Sequence, residues 1–286
     1  MAEPARKTSH GESGEPDDES SGFVLLQRWV ERPDGRMELV ERPLTPEEYL
    51  DPQDGDKWVQ GKPHSDARFY FHGLLSQHFL GQEDVLILDD VKHLLGPGLP
   101  GPAPDISVVR ARDPESVQES LDVARQGVPW LVIEVVSPKD RRIQRMDEED
   151  KVDLYQRVGI PDYLLVYLPR YKGQRFRIRG YHLGPDGCYQ PTEPDADRRL
   201  LCETTGLLFG LSPEGDRVEL FNARTGEQIR TPVEEAARAA EALQAAEKKA
   251  ARETEARKAE RAAREMAEWE LERLRAEIEQ LKKTGR

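Results

Sequence analysis

The sequence predicts a mixed α/β domain, a central sheet flanked by helices, followed by a C-terminal helix that forms a coiled coil. Three observations lead there. Trp130–Ser137 is a nearly continuous apolar run, as expected of a central strand buried on both faces. Residues 105–168 read as strand, strand, helix, strand, the order of a sheet layer with a crossover helix packed on it. Residues 233–286 contain no Pro, no Gly before Gly285, and are dominated by Ala, Glu, Lys and Arg, which favour helix.

The length of 286 residues suits one domain of about 200 residues plus an appendage. Residues 1–22 are rich in Glu, Asp, Ser, Gly and Pro and lack aromatics. Such a segment buries too little apolar surface to offset its ordering entropy and is expected to be a disordered acidic N-terminus. Phe23–Val30 and Met37–Val40 read as strands joined by a Pro33-Asp34-Gly35 turn. Thr45 and Glu48 form a capping box with Pro46 at the first helical position. From Pro63 to about Leu80, Phe71, Leu74, Leu75, His78 and Phe79 recur at helical spacing. Asp84–Leu88 and Val91–Leu95 look extended, and a loop dense in Gly and Pro, Gly96–Pro104, delivers the chain into the strand Asp105–Arg110.

Pro114–Arg125 is expected to be helical, as is about Asp147 to Val158, which stops at Gly159. Asp162–Leu168 reads as a second central strand. Phe176–Leu183, the Pro185-Asp186-Gly187 turn and Arg217–Asn222 complete a β-rich part. In the tail, Leu271, Leu274, Ile278 and Leu281 are spaced three, four, three, an a/d seam. A single solvated helix held by i,i+4 ion pairs is the alternative to self-association. The expected domains are thus 1–22, 23–232 and 233–286.

Of the 55 acidic and 42 basic side chains, thirteen of each lie in residues 233–286, so the whole net charge of −13 falls on the first 232 residues. That argues against binding nucleic acid by broad charge attraction, and permits a pocket crowded with carboxylates or a local basic patch. Cys188 and Cys202 have neither metal-type spacing nor a disulfide framework, and no apolar stretch is long enough for a membrane span or signal peptide. A cytoplasmic protein without a membrane role is expected. The histidines show no zinc-site spacing, and no phosphate-binding glycine loop is present.

Three positions carry chemistry. Asp105 stands at the mouth of a strand, Glu134 inside an apolar strand and Lys151 on the following helix. A buried carboxylate needs a partner, and a hard cation held by one or two carboxylates is a good one. Two acids at the ends of adjacent strands plus a lysine can bind metal, hold a scissile phosphate and activate water. Taken singly, each has another reading. Asp105 reads as a turn residue after Pro104, Glu134 as the partner of a buried arginine such as Arg141 or Arg142, and Lys151 as a surface lysine paired to Asp147 or Glu148. Arg141, Arg142 and Arg145 form a basic cluster suited to phosphates or to a solvated loop. Arg175, Arg177 and Arg179 alternate along a strand as a nucleic-acid surface or a plain polar face.

Pro104-Asp105-Ile-Ser-Val-Val, Leu131-Val-Ile-Glu134-Val-Val-Ser-Pro138, Lys151-Val-Asp-Leu-Tyr155 and Gly159-Ile-Pro-Asp-Tyr163-Leu-Leu-Val together resemble the Uma-type restriction endonuclease family, a branch of the PD-(D/E)XK nuclease superfamily. The resemblance covers roughly residues 23–232, including the Trp29–Gly35 hairpin and the Leu44–Leu50 helix start. It implies a restriction-endonuclease-like fold and a Mg²⁺ (or Mn²⁺) dependent DNA endonuclease. Asp105 and Glu134 match the metal-binding acids. The superfamily's strand lysine falls at Val136, so its role passes to Lys151. Where the family has a glutamate near the start of its first long helix, this chain offers His64 or Asp66. A catalytically silent, nuclease-fold interaction protein that recruits partners through its coiled coil is the competing expectation. A parallel homodimer through residues 233–283 would place two active sites together, as double-strand cleavage requires.

Overall fold

The computed structural model describes residues 23–285 apart from Val59; the expected acidic N-terminal segment lies outside the described residues. The chain forms two compact units that divide between Ile229 and Arg230.

In the first unit, β1 (Leu25–Glu31) and β2 (Met37–Pro43) form an antiparallel hairpin around the Pro33-Asp34-Gly35 turn, where Gly35 takes a positive φ of 77°. Helix α1 (Pro46–Leu50) follows, with both bonds of its N-terminal capping box present: Glu48 N–H donates to Thr45 Oγ1 and Thr45 N–H donates to the Glu48 carboxylate. Strand β3 (Lys57–Trp58) adds to β1. Helix α2 (Lys62–His78) then buries Ala67, Phe71, Leu74 and Leu75.

The central sheet has six strands. In chain order they are β4 (Val85–Leu88), β6 (Ile106–Arg110), β8 (Pro129–Val136), β9 (Asp162–Tyr167), β10 (Arg177–Leu183) and β11 (Tyr189–Pro191). Their spatial order is β11-β10-β9-β8-β6-β4, and only β8 and β9 run parallel. Beside the sheet, β5 (Lys92–Leu94) pairs in parallel with β7 (Ser120–Asp122), which leads into the one-turn helix α3 (Val123–Gln126). The stretch 114–125 is therefore not one helix. A 3₁₀ turn at Pro114–Ser116, then β7 and α3, replace it, because Leu121 is drawn into the core from an extended segment and Val123 from the start of α3. A four-stranded antiparallel sheet, β12 (Leu200–Cys202), β13 (Leu207–Leu211), β14 (Val218–Asn222) and β15 (Gln228–Ile229), completes the unit.

Alternation along β8 decides where the chemistry goes. Leu131, Ile133 and Val135 enter one core with α2 and β12–β14, while Val132 and Val136 enter the other with Leu154, Tyr155 and Tyr163. Side chains two apart share a face. Glu134 therefore points into the second layer, on the side of the β8–β9 crossover. That crossover is α4 (Arg141–Arg145), a π turn at Met146–Asp150 and α5 (Lys151–Val158), ended by Gly159 at a positive φ of 82°.

The N-terminal sheet and α1 are tied to this layer by a third cluster of Leu26, Leu44 and Ile143 with Val24, Tyr49 and Trp58. Glu48 anchors α1 electrostatically. Its bonds to Arg42, then that backbone N–H of Thr45, hold its carboxyl down to about 2. A depressed acid contributes stability above its unfolded value, near 4.5, and loses it as pH falls towards 2. Glu48→Gln is expected to cost about 1–2 kcal/mol at pH 7 in urea unfolding. The difference should vanish by pH 2; a constant difference across that range would refute the assignment.

The second unit is one helix, α6 (Pro232–Thr284). Arg261–Glu265 at 2.9 Å and Arg264–Glu268 at 3.1 Å are i,i+4 pairs along it. Its apolar residues Leu243, Leu271, Leu274 and Ile278 are exposed. No helix among the described residues is long and apolar enough to cross a membrane.

Candidate active site

Glu134 is 1% exposed in the middle of β8. Its Oε1 accepts from Tyr155 Oη at 3.0 Å and lies 2.9 Å from Lys151 Nζ, while Oε2 lies 3.5 Å from the backbone N of Asp105. Asp105, 5% exposed, precedes β6 on the neighbouring strand. Its Oδ2 accepts the Val135 N–H at 2.8 Å and meets His64 Nε2 at 3.1 Å. Lys151, 1% exposed, also contacts Asp147 Oδ1 at 2.9 Å and lies 4.0 Å from the centre of the Tyr49 ring. Tyr49 Oη donates to the same Asp147 oxygen at 2.9 Å.

Asp105, Glu134 and Lys151 are thus brought into one buried cluster, joined by residues that the sequence reading did not assign to it: Asp147, Tyr155 and Tyr49. Asp147, Lys151 and Tyr155 are spaced by four, which places them on one helix face. The π turn widens the helix over Met146–Asp150, where the Lys151 N–H reaches back to the Met146 carbonyl. Tyr163 Oη fixes the bulge by donating to the Asp147 carbonyl at 2.9 Å. The surface reading of Lys151 is overturned by its burial, although its pairing with Asp147 is present. The arginine reading of Glu134 is overturned as well, since Lys151 fills that place and Arg142 binds Asp140 at 2.7 Å. Of the two candidates on α2, His64 reaches the cluster, whereas Asp66 is exposed and pairs with Lys62 at 2.5 Å. Arg175 lies before β10, so the three alternating arginines are not one strand face; Arg177 instead covers the Tyr167 ring at 4.6 Å.

The electrostatics are those of too many carboxylates for one ammonium. Burial, followed by the charges of Asp147 and Asp105, pushes the Glu134 carboxyl up to about 8 despite Lys151. Burial raises Asp147 also. For Asp105, burial is outweighed by the charge and hydrogen bond of His64, and its carboxyl is held low. Burial works against the Lys151 charge, but Asp147 and Glu134 overcome it and keep the ammonium protonated. Lys151 therefore stays charged while one acid beside it retains a proton.

A cavity of about 50 Å³ adjoins the cluster, lined by Tyr49, Trp58, His64, Ser137, Lys139 and Asp147 among others. His64 Nδ1 is buried and has no hydrogen-bond partner among the described residues.

The family model described as "Putative restriction endonuclease", Uma2, matches residues 36–214. The chain belongs to the Uma2 family. A crystal structure described as a putative nuclease of DUF820 from Anabaena variabilis ATCC 29413 is 16% identical. The match covers 63% of this chain and 85% of that one, with a TM-score of 0.31. No curated protein matches.

The resemblance noted in the sequence raises the expectation of a divalent cation. Among the described residues no three His, Cys, Asp or Glu side chains form a ready-made cage. Mg²⁺ does not require one, because it takes one or two carboxylates and keeps its waters. Asp105 and Glu134 supply those hard oxygen donors on adjacent strands. With three carboxylates facing one ammonium, a divalent ion would also neutralise the cluster. The residues present fit the ion.

Proposed function

We propose that this Uma2 protein is a metal-dependent phosphodiesterase acting on DNA. The observation that carries the reading is the pair Asp105 and Glu134, buried on adjacent strands with an excess of negative charge that one lysine does not cancel. Asp105 and Glu134 would hold Mg²⁺ or Mn²⁺, which when bound polarises the phosphate and lowers the pKa of a coordinated water. Lys151 keeps its proton and presents a fixed positive charge to the phosphate, in a site dry enough for that charge to count. Asp147 and Tyr155 hold the lysine and glutamate in place, and His64 orients Asp105. The cavity of about 50 Å³ beside the cluster is too small for a nucleotide and both acids are buried, so DNA would reach them only after the residues over them move.

That closure favours a second reading, in which the cluster is structural and the protein is a silent scaffold. Supercoiled-plasmid cleavage with Mg²⁺ or Mn²⁺, paired with calorimetric cation titration, separates the two. The native protein is expected to nick DNA only with metal. Glu134→Ala is expected to lose cleavage by at least about 100-fold and to lose cation binding. No cleavage and no cation binding by the native protein would leave the scaffold; equal cleavage by both proteins would misplace the site.

A further inference from the structure

Helix α6 runs unbroken from Pro232 to Thr284 with its apolar residues exposed. The seam set by Leu271, Leu274 and Ile278 extends N-terminally through Ala267, Arg264, Glu260, Arg257, Glu253, Ala250, Ala246, Leu243 and Ala239. In a parallel pair each of these positions faces its own copy. Glu253, Arg257, Glu260 and Arg264 would then make four successive layers of like charge in the middle of the seam. In an antiparallel pair an a position faces a d position, and the outcome changes at every layer.

We propose that α6 pairs antiparallel with α6 of a second copy of this chain, centred between Lys258 and Ala259. In that register Arg257 meets Glu260 of the second copy and Glu253 meets Arg264. Ala250 meets Ala267, Ala246 meets Leu271, Leu243 meets Leu274 and Ala239 meets Ile278. Opposite charges face each other, Leu271 and Ile278 face alanines, and Leu243 and Leu274 form one apolar layer. One register puts opposite charges together at the centre of the seam and apolar residues together on both sides of it, and that agreement picks a second copy as the occupant. On the outer edges Lys249 lies near Glu270 of the second copy, an attraction, and Glu247 near Glu268, a repulsion. The pairing departs from the parallel dimer through residues 233–283 expected from the sequence, because the charged layers in the middle of the seam disfavour that arrangement. It separates the two Pro232 residues by about 80 Å at 1.5 Å per residue.

The test uses the full chain carrying Cys188→Ser, which removes the exposed cysteine. Ala250→Cys and Ala267→Cys proteins are mixed and oxidised. The antiparallel register brings these positions together between copies but holds each roughly 25 Å from its own counterpart. A disulfide dimer in the mixture and in neither protein alone is expected. Dimers within each single variant mean a parallel pair and overturn the proposal, as does absence of any disulfide in the mixture. Sedimentation equilibrium supplies a second arm. Arg257→Glu and Glu260→Arg are each expected to weaken association about tenfold, and their combination to restore it. Failure of the combination to restore it, or a monomeric native protein, also overturns the proposal. Neither arm depends on nuclease activity.

Discussion

Lys151→Met is expected to lower the stability of the first unit by about 3–5 kcal/mol at pH 8, the cost of removing one partner from a buried ionic cluster. The ammonium contacts Glu134 and Asp147 at 2.9 Å each and is covered by the Tyr49 ring. Methionine fills the volume of the alkyl stem but leaves Glu134, Asp147 and Asp105 facing one another without a cation. The two acids already raised by burial respond by taking protons, so the deficit should shrink as pH falls towards 5. Urea unfolding at pH 5 and pH 8 measures both effects. A change below about 1 kcal/mol at pH 8 would mean that the cluster relaxes or hydrates without its lysine. Cleavage is expected to disappear in the same variant, since Lys151 is the cation in direct contact with Glu134. Lys151→Arg is not expected to rescue either property, because the longer planar fork needs room that the packed cluster and its 50 Å³ cavity do not offer.

Part of this site was legible because burial makes a carboxylate conspicuous. Leu-Val-Ile-Glu134-Val-Val has no benign explanation as a core strand unless the acid has a partner, and strand alternation then fixes which layer contains it. The helix carrying Lys151 and its stop at Gly159 were equally visible from propensity and capping. What stayed hidden depends on tertiary geometry. The same residues write a regular helix or a π turn, so nothing in Met146–Asp150 announces the bulge beside Lys151. Asp147 reads as one more surface acid in an acidic run until Tyr49 and Lys151 close over it. Tyr49 itself looks like an ordinary residue of a short capped helix. Its role as a cover follows only from the way Leu26, Leu44 and Ile143 fasten the N-terminal sheet to the crossover. The 114–125 stretch failed for the opposite reason: its polar, helix-compatible sequence is overridden by burial of Leu121 against the core.

Glu134→Gln should separate stability from cation binding in one substitution. A carboxyl raised to about 8 in the folded chain and titrating near 4.5 when unfolded contributes stability that is complete below 4.5. That contribution is lost as pH rises to 8, because unfolding increasingly releases a proton the folded state was holding. The native protein without metal is therefore expected to lose a few kcal/mol between pH 5 and pH 8.5. The glutamine variant has no such proton and keeps the acceptor for Tyr155 and Lys151, so its stability should be flatter across that window and exceed the native value above pH 8. Cation reverses the order. At a hundred times its dissociation constant, Mg²⁺ or Mn²⁺ should stabilise the native fold by about 2.7 kcal/mol and the variant by close to nothing. Thermal unfolding with and without metal at pH 6 and pH 8.5 reads all four quantities. Equal metal stabilisation of both proteins would remove Glu134 from the cation site. A native profile as flat as the variant's would show that Lys151 alone keeps Glu134 ionised. The expected pattern, a residue that weakens the empty fold yet is needed for the ion, is what a carboxylate retained for function would leave in a core of Val, Leu and Ile.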